Sequence, residues 1–172
     1  LSERSYIKVN GKTLGQLNFS NMRVGLLIGP WTGNTASVSS NYNEISYIDV
    51  TGQVSSNALQ QGNFLWCGSY NHIHHCKFSD HGWMTPGNGG NDADVFELGH
   101  ENINTEIHRT SYNIIENNEF SRGGHATFGM FGDHNVVRNN YFHNEGWFGI
   151  DGVLYGYRNI ISDGMLGYVG YN

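Results

Sequence analysis

The chain has 172 residues, with 24 Gly, 2 Pro and a formal charge of −6 from 9 Lys+Arg and 15 Asp+Glu. This length predicts one domain, residues 1–172, since no linker-like segment divides the chain. The negative charge argues against nucleic acid as a partner, and no apolar run approaches the roughly 18 residues that a membrane-spanning helix needs.

The first predicted element is a short strand at the start of the chain. Apolar and polar residues alternate from Ser5 to Val9, and Asn10-Gly11 predicts a turn directly after them. Leu1 to Asn10 contains no basic segment followed by an apolar one, so we expect no targeting signal there. This strand is a candidate for an early, degenerate copy of the repeat that fills the later chain.

A repeated line of sequence dominates the second half of the chain. Residues 112–132 superpose on residues 134–152, and residues 71–78 fit the same frame with Cys76 in place of an Asn. The shared pattern is Asn-x-Ile/Val-x-x-Asn-x-Phe, followed by a Gly turn and a short apolar run. A shift of 22 residues, from Asn113 to Asn135, relates the last two lines. Repeats of this length are typical of stacked architectures.

The line itself predicts short strands and tight corners. Its apolar runs are brief and broken by Asn and Gly, which argues against an amphipathic helix. Ile115 and Phe120 are an odd number of residues apart, so both face inward only if the chain bends at Asn117-Asn118. We therefore predict an all-β fold, a parallel β-helix of stacked coils of about 22 residues. Right-handed winding is expected, with Asn118 hydrogen-bonded to Asn140 in the next coil.

Cys67 and Cys76 are the only two cysteines. The simpler interpretation is that both are small buried apolar side chains. A disulfide between them stays open, because sequence alone does not place one. Their number and spacing do not match a zinc site.

The last residues repeat the start of a line. Gly170-Tyr171-Asn172 resembles Ser111-Tyr112-Asn113, which opens the line over residues 112–132. Because an uncapped solenoid end exposes its core, we expect further coils or a capping element beyond Asn172.

Two loop inserts are predicted between Asn71 and Asn113, whose spacing exceeds one repeat by about 20 residues. They cover residues 84–94 and 100–110, and each falls at a corner of a coil. Loops at such corners are places where a binding site is built without disturbing the stack. The same polar, Gly-rich character also fits a surface loop without function.

Carboxylates around the first insert are candidates for a calcium site. Asp92 and Asp94 follow a Gly-rich stretch, and Glu97 comes shortly after them. Calcium is bound by several oxygen ligands, mostly from carboxylates and carbonyl groups. The sequence thus predicts a candidate calcium site at Asp92, Asp94 and Glu97.

The turns that follow the repeated Phe align into rows that climb the coils. One row has two Trp and one His, and its neighbours carry acidic and basic groups. Aromatic rings in a row can stack against sugar rings, which predicts substrate binding by Trp83 and Trp147. The same rings can equally be inward core packing, and that interpretation stays open. The aligned residues are Trp83, His125 and Trp147 in one row, Asp80, Arg122 and Asn144 in another, and His81 with Glu145 in a third.

His125 is the first candidate for a catalytic base. Its two equivalents in the repeat are Trp83 and Trp147, so a titratable ring stands where the pattern otherwise has an inert one. Imidazole changes charge near neutral pH, which suits proton transfer.

The lines NIIENNEF and VVRNNYF resemble those of the right-handed parallel β-helix proteins of the pectate-lyase-like superfamily, over roughly Asn43 to Asn172. This superfamily includes polysaccharide lyases, glycoside hydrolases, epimerases and non-catalytic carbohydrate-binding repeats. The resemblance implies an acidic polysaccharide bound along one sheet, often with calcium and with Arg or Lys as base. It also implies an extracellular or periplasmic location.

Two classes of function follow. In a lyase, Arg122 or calcium neutralises a uronate carboxylate, while His125 or His81 removes the neighbouring proton. In a hydrolase, Asp80 and Glu145 act instead as the acid and base pair. The alternative class is a non-catalytic carbohydrate-binding or structural module.

Overall fold

The computed structural model of the chain describes residues 5–29, 40–53, 61–81, 93–99, 110–123, 126–130, 134–144, 148–151, 160–162 and 165–166. These residues form seventeen strands and no helix. The strands belong to three sheets, in which all pairings are parallel.

Successive turns of the chain contribute one strand at a time to each sheet, which gives six described strands in sheets A and B and five in sheet C. Sheet A contains, in spatial order, β1 (Lys8–Asn10), β4 (Glu44–Ser46), β7 (His72–His74), β10 (Ile114–Glu116), β13 (Val136–Arg138) and β16 (Ile160–Ser162). Sheet B contains β2 (Leu17–Met22), β5 (Ile48–Gly52), β8 (Lys77–Ser79), β11 (Glu119–Ser121), β14 (Tyr141–His143) and β17 (Met165–Leu166). Sheet C contains β3 (Val24–Ile28), β6 (Gln61–Leu65), β9 (Ala93–Leu98), β12 (Ala126–Met130) and β15 (Phe148–Asp151). The prediction of an all-β parallel solenoid is confirmed.

Corners between strands are made by residues in the left-handed region of backbone space. The predicted bend between Ile115 and Phe120 is present, with φ of 55° at Asn117 between β10 and β11. Equivalent residues in other coils share this conformation, which most side chains resist and Asn tolerates best. The corner residues with positive φ are Tyr42, Tyr70, Tyr112 and His134 before sheet A, Tyr47, His75, Asn117 and Asn139 between sheets A and B, and Asp80, Arg122 and Asn144 after sheet B.

The core is built from inward side chains that repeat in columns. Phe78, Phe120 and Phe142 stack with ring centroids 5.4 and 5.2 Å apart. Phe96 and Phe128 of sheet C form a second stack at 5.7 Å and meet the first stack edge to face. In-register pairing of the strands therefore places like side chains one above another, so that aromatic rings stack along the interior of the coils.

A ladder of buried Asn side chains runs beside sheet A. Asn43 donates from its backbone N and its Nδ2 to Asn71 Oδ1, at 2.9 and 3.0 Å. Asn71 makes the same two bonds to Asn113, and Asn113 makes them to Asn135. Each second Nδ2 proton goes to a backbone carbonyl, as from Asn113 to Gly68. These amides satisfy corner groups that would otherwise be buried without partners.

The second ladder contains the predicted pair, and that prediction is confirmed. Asn118 Nδ2 donates to Asn140 Oδ1 at 3.1 Å, and Asn118 Oδ1 accepts from the backbone N of Cys76. The Cys76 thiol replaces the next amide, and its Sγ is 3.2 Å from the carbonyl oxygen of His74 and 3.7 Å from that of Ile45. Cys67 and Cys76 are both free and buried, and burial raises the pKa of each thiol to about 11. The interpretation of both as small buried side chains is confirmed.

The coils differ in length. Asn71 and Asn113 are 42 residues apart in sequence yet hydrogen-bonded, whereas Asn113 and Asn135 are 22 apart. The placement of the additional residues in two inserts stays a prediction. Apart from Ala93, Asp94 and Thr110, the inserts at 84–94 and 100–110 lie outside the described residues.

Candidate functional site

Five of the predicted site residues lie outside the described part of the chain. These are Trp83, Asp92, His125, Glu145 and Trp147. Their assignment as substrate-binding, metal-binding or catalytic residues stays a prediction. The other five predicted residues, Asp80, His81, Asp94, Glu97 and Arg122, are described.

Asp80 and Arg122 are neighbours at the corner after sheet B. The Arg122 guanidinium donates from Nε and Nη2 to the two carboxylate oxygens of Asp80, and Ser79 Oγ adds a bond to Asp80 Oδ2 at 2.9 Å. Burial of Asp80 opposes ionisation, but these hydrogen bonds outweigh it and lower the pKa of Asp80. The pair is therefore a formed ion pair, with Arg122 the more exposed partner.

His81 is fully buried behind this corner. Asn63 Nδ2 donates to His81 Nε2 at 3.0 Å, so the ring proton of neutral His81 is on Nδ1. Within the described structure His81 Nδ1 has no hydrogen-bond partner, and it lies against the Cα of Gly52. Burial lowers the pKa of His81 to about 4, although the Asp80 charge opposes this. Within the described part of the chain, the His81 ring is therefore buried away from the surface.

Because His81 is buried in its neutral form, we expect the folded protein to lose stability in mild acid. The unfolded chain takes up a proton near pH 6.5, whereas folded His81 resists it until about pH 4. The stability linked to His81 is therefore complete above pH 6.5 and falls as the pH drops toward 4, by about 3 kcal/mol in total. Urea unfolding at several pH values measures this. The His81→Phe variant should be less stable, but its free energy of unfolding should change less with pH across that range. Parallel pH profiles of stability for the two proteins contradict the lowered pKa of His81.

Charged and aromatic side chains lie on the outer face of sheet B. They form a row that crosses the strands, with one residue from each strand. Strand register aligns Asp49 with Lys77, Lys77 with Glu119, and Glu119 with Tyr141, at steps of about 4.8 Å. Lys77 Nζ is 3.0 Å from Glu119 Oε1, and both side chains are about one third exposed. We call this surface and its adjoining corner the charged face; it consists of Asp49, Lys77, Asp80, Glu119, Arg122, Tyr141 and His143.

His143 extends the ionic row of the charged face. Its Nε2 is 3.1 Å from Glu119 Oε1, while Asn144 Nδ2 donates to its Nδ1 at 2.9 Å. Neutral His143 therefore donates its Nε2 proton to Glu119. Burial opposes ionisation of Glu119, but the hydrogen bonds from Lys77 and His143 prevail and lower its pKa. Glu119 thus remains a carboxylate near neutral pH.

Asp49 lies at the other end of the row and differs electrostatically from Glu119. Burial raises the pKa of Asp49, and the charges of Glu119 and Asp80 add to this while Lys77 opposes it. Asp49 Oδ1 is buried without a hydrogen-bond partner in the described residues. The charged face therefore holds carboxylates whose environments shift their pKa values in opposite directions, a pattern associated with functional sites.

Sequence reasoning missed Lys77, Glu119 and Tyr141. Each immediately precedes the repeated Phe of its line, at Phe78, Phe120 and Phe142, so the row was present in the aligned repeat. Because strand side chains alternate, a residue next to an inward Phe must face outward. That rule identifies the row from sequence alone.

Asp94 and Glu97 lie on β9 of sheet C, and both are buried. Glu97 pairs with Phe64 on one side and with Gly129 on the other. Calcium takes about six to eight oxygen ligands, and no group of three His, Cys, Asp or Glu able to hold a metal occurs among the described residues. The described part of the predicted calcium site therefore supplies too few ligands by itself.

Exposed aromatic rings form a column along the corner before sheet A. Tyr6, Tyr42, Tyr70, Tyr112 and His134 stack with centroids 5.0, 5.0, 5.3 and 4.9 Å apart. Their faces cover one another, so mainly ring edges and hydroxyl groups meet solvent. Sugars stack on the faces of aromatic rings, and this column consequently serves the coil stack better than it serves a glycan. The signal in sequence is the repeated Tyr-Asn dipeptide.

No family model, curated protein or solved structure matches this chain. Across the described ranges there is also no helix with the length and apolar character to cross a bilayer.

Proposed function

We propose that this chain is a right-handed parallel β-helix of the pectate-lyase-like kind, acting on an extracellular polysaccharide that contains uronate units. The polymer lies across the coils on the charged face. The observation that supports this is the row from Asp49 through Lys77 and Glu119 to Tyr141, which repeats once per coil. An extended polymer with regularly spaced charges suits a surface whose polar groups recur at regular steps.

Positive charge on this face suits a uronate carboxylate. The positively charged side chains of Lys77 and Arg122 are partly exposed and lie on adjacent coils. The protein as a whole has a net negative charge. In the proposed elimination, Arg122 neutralises the substrate carboxylate and His125 removes the neighbouring proton. The C–O bond to the leaving sugar breaks as the double bond forms, and the leaving oxygen takes a proton from water. Asp80 positions Arg122 through the bidentate contact. His81 is not part of this proposal, because its ring is buried.

A second candidate function is binding without chemistry. The observation in its favour is that the cations of the charged face already have carboxylate partners, Lys77 with Glu119 and Arg122 with Asp80. Such pairs must open or share their cation before a substrate carboxylate binds. A module that only holds the polymer needs no further group, whereas an enzyme needs His125 or Glu145 nearby as base.

Lys77→Gln tests the proposed surface. We expect its affinity for uronate polymers to fall about tenfold, equivalent to about 1.4 kcal/mol, with a smaller difference at high salt. The measurement is isothermal titration with a panel of uronate polymers, together with absorbance of the unsaturated product. Formation of that product identifies a lyase, and binding without it identifies the binding module.

Lys8→Gln is the matched control. Lys8 is an exposed lysine paired with Glu44 at 2.7 Å, but it lies on sheet A, away from the charged face. Its substitution should leave polymer affinity unchanged. Equal losses in the two variants, or no binding of any polymer by the unaltered protein, count against the proposed function.

A further inference from the structure

Three histidines meet on the outer face of sheet A, where β7 ends. His72 and His74 both face outward on this strand, with ring centroids 4.2 Å apart, and His75 forms the corner after it. The Nδ1 atoms of His74 and His75 are 2.8 Å apart. This face is separate from the charged face, which belongs to sheet B.

Neighbouring side chains hold the rings of His74 and His75 in place. Tyr47 stacks on His75 at 5.0 Å and meets His74 edge to face at 6.1 Å. Glu44 Oε1 is 3.4 Å from His74 Nε2 and also pairs with Lys8. A carboxylate on the far nitrogen fixes the tautomer of His74, so that its Nδ1 is the unprotonated nitrogen facing His75.

The contact between His74 and His75 is a ring-to-ring hydrogen bond. Because the Nε2 proton of His74 is directed to Glu44, His74 Nδ1 accepts this bond and His75 Nδ1 donates it. A ring nitrogen without a proton is the one that ligates metals.

We infer that His74 and His75 form a two-histidine site for a divalent transition-metal ion, with water completing the coordination. Metal–nitrogen bonds of about 2.0–2.1 Å place two ligands about 2.9 Å apart at a right angle and about 3.3 Å apart at a tetrahedral angle. The observed 2.8 Å is close to the right-angle value. One ion can therefore bridge both nitrogens, and imidazole ligands suit Cu²⁺, Ni²⁺ and Zn²⁺ alike.

Binding requires one change of tautomer. The proton on His75 Nδ1 moves through solvent to its Nε2, the ring stays neutral, and both Nδ1 lone pairs are then available to the metal. The surrounding charges nearly cancel, because Lys8 pairs with Glu44 and Arg138 pairs with Glu116, which also contacts His72. Two protein ligands are fewer than a structural zinc site uses, so the site is exchangeable.

The test is titration of the purified protein with Cu²⁺ alone, followed by calorimetry and by electron paramagnetic resonance. We expect one ion to be bound with two nitrogen ligands. His75→Gln and His74→Gln should each weaken binding at least about tenfold, or about 1.4 kcal/mol. Glu44→Gln, which alters the positioning carboxylate, should weaken it about tenfold while both nitrogens remain visible.

His134→Gln is the matched control, since His134 is a corner residue in the column before sheet A. It should bind Cu²⁺ like the unaltered protein, with a thermal melt verifying that each variant is folded. Unchanged affinity in His74→Gln and His75→Gln overturns the assignment. So does an equal loss in His134→Gln, which indicates that the metal binds elsewhere.

Discussion

Replacing Gly29 by Ala is expected to lower the free energy of unfolding by about 4 kcal/mol. Gly29 has φ of +112°, a conformation that side chains rarely adopt, and an added Cβ would be 1.7 Å from the carbonyl oxygen of Trp66. That oxygen belongs to the next coil. The backbone N of Trp66 donates to the carbonyl oxygen of Ile28 at 2.9 Å. The clash is thus relieved only by separating two coils. Urea unfolding monitored by circular dichroism measures the effect.

Gly15→Ala is the matched control, which separates the cost of backbone strain from the cost of the steric clash at Gly29. Gly15 also has a positive φ, of 86°, but an added Cβ meets nothing within 4 Å. Its replacement should cost about 1 kcal/mol from backbone strain alone. Similar losses for Gly29→Ala and Gly15→Ala would show that adjacent coils do not approach as closely as described.

Replacing Asn113 by Leu is expected to cost about 4 kcal/mol, since it breaks four buried hydrogen bonds at roughly 1 kcal/mol each. Asn113 Oδ1 accepts from the backbone N and the Nδ2 of Asn71. Its Nδ2 donates to Gly68 O and to Asn135 Oδ1. The Leu side chain has a similar size, so the change isolates the hydrogen bonds. The midpoint of chemical unfolding measures the loss.

Asn18→Leu is the matched control for this substitution. Asn18 is exposed in β2, at the end of sheet B, and is not a member of either ladder of buried Asn side chains. Its change should be within about 0.5 kcal/mol of neutral. A loss at Asn113 no larger than that at Asn18 would remove the ladder as a source of stability.

The repeated line of sequence was sufficient to predict the stack and its corners. Asn118 and Asn140 were placed side by side, and the bend at Asn117 followed from the odd spacing of Ile115 and Phe120. Both results depend on local rules, namely the alternation of strand side chains and the tolerance of Asn for left-handed angles. Local rules transfer directly from one coil to the next.

The position of His81 was beyond those rules. Sequence alignment placed it in a surface row opposite Glu145, but the corner at Asp80 turns the next side chain inward to Asn63. Asn63 belongs to a different sheet and a different coil. Whether a corner residue faces the core or solvent depends on packing between sheets, and the repeat pattern contains no record of that packing.

The rows of the charged face follow from the aligned repeat, but the contacts within the rows do not. Lys77 and Glu119 occupy one row because their coils are adjacent, although 42 residues separate the matching Cys76 and Asn118. Asp80 and Arg122 were both selected from sequence, as separate catalytic groups. Their bidentate contact makes Asp80 a partner that positions Arg122, a relation that composition and spacing do not reveal.

In-register stacking of coils underlies the charged face, the histidine pair and both ladders. The most direct test is nuclear magnetic resonance of the side-chain amides, using amide exchange and nuclear Overhauser effects. The Nδ2 protons of Asn71, Asn113 and Asn118 should exchange slowly, and those of Asn113 should show a contact to Asn135. Exchange of these protons at the rate of a free amide, with no contact between Asn113 and Asn135, would contradict the stacked arrangement.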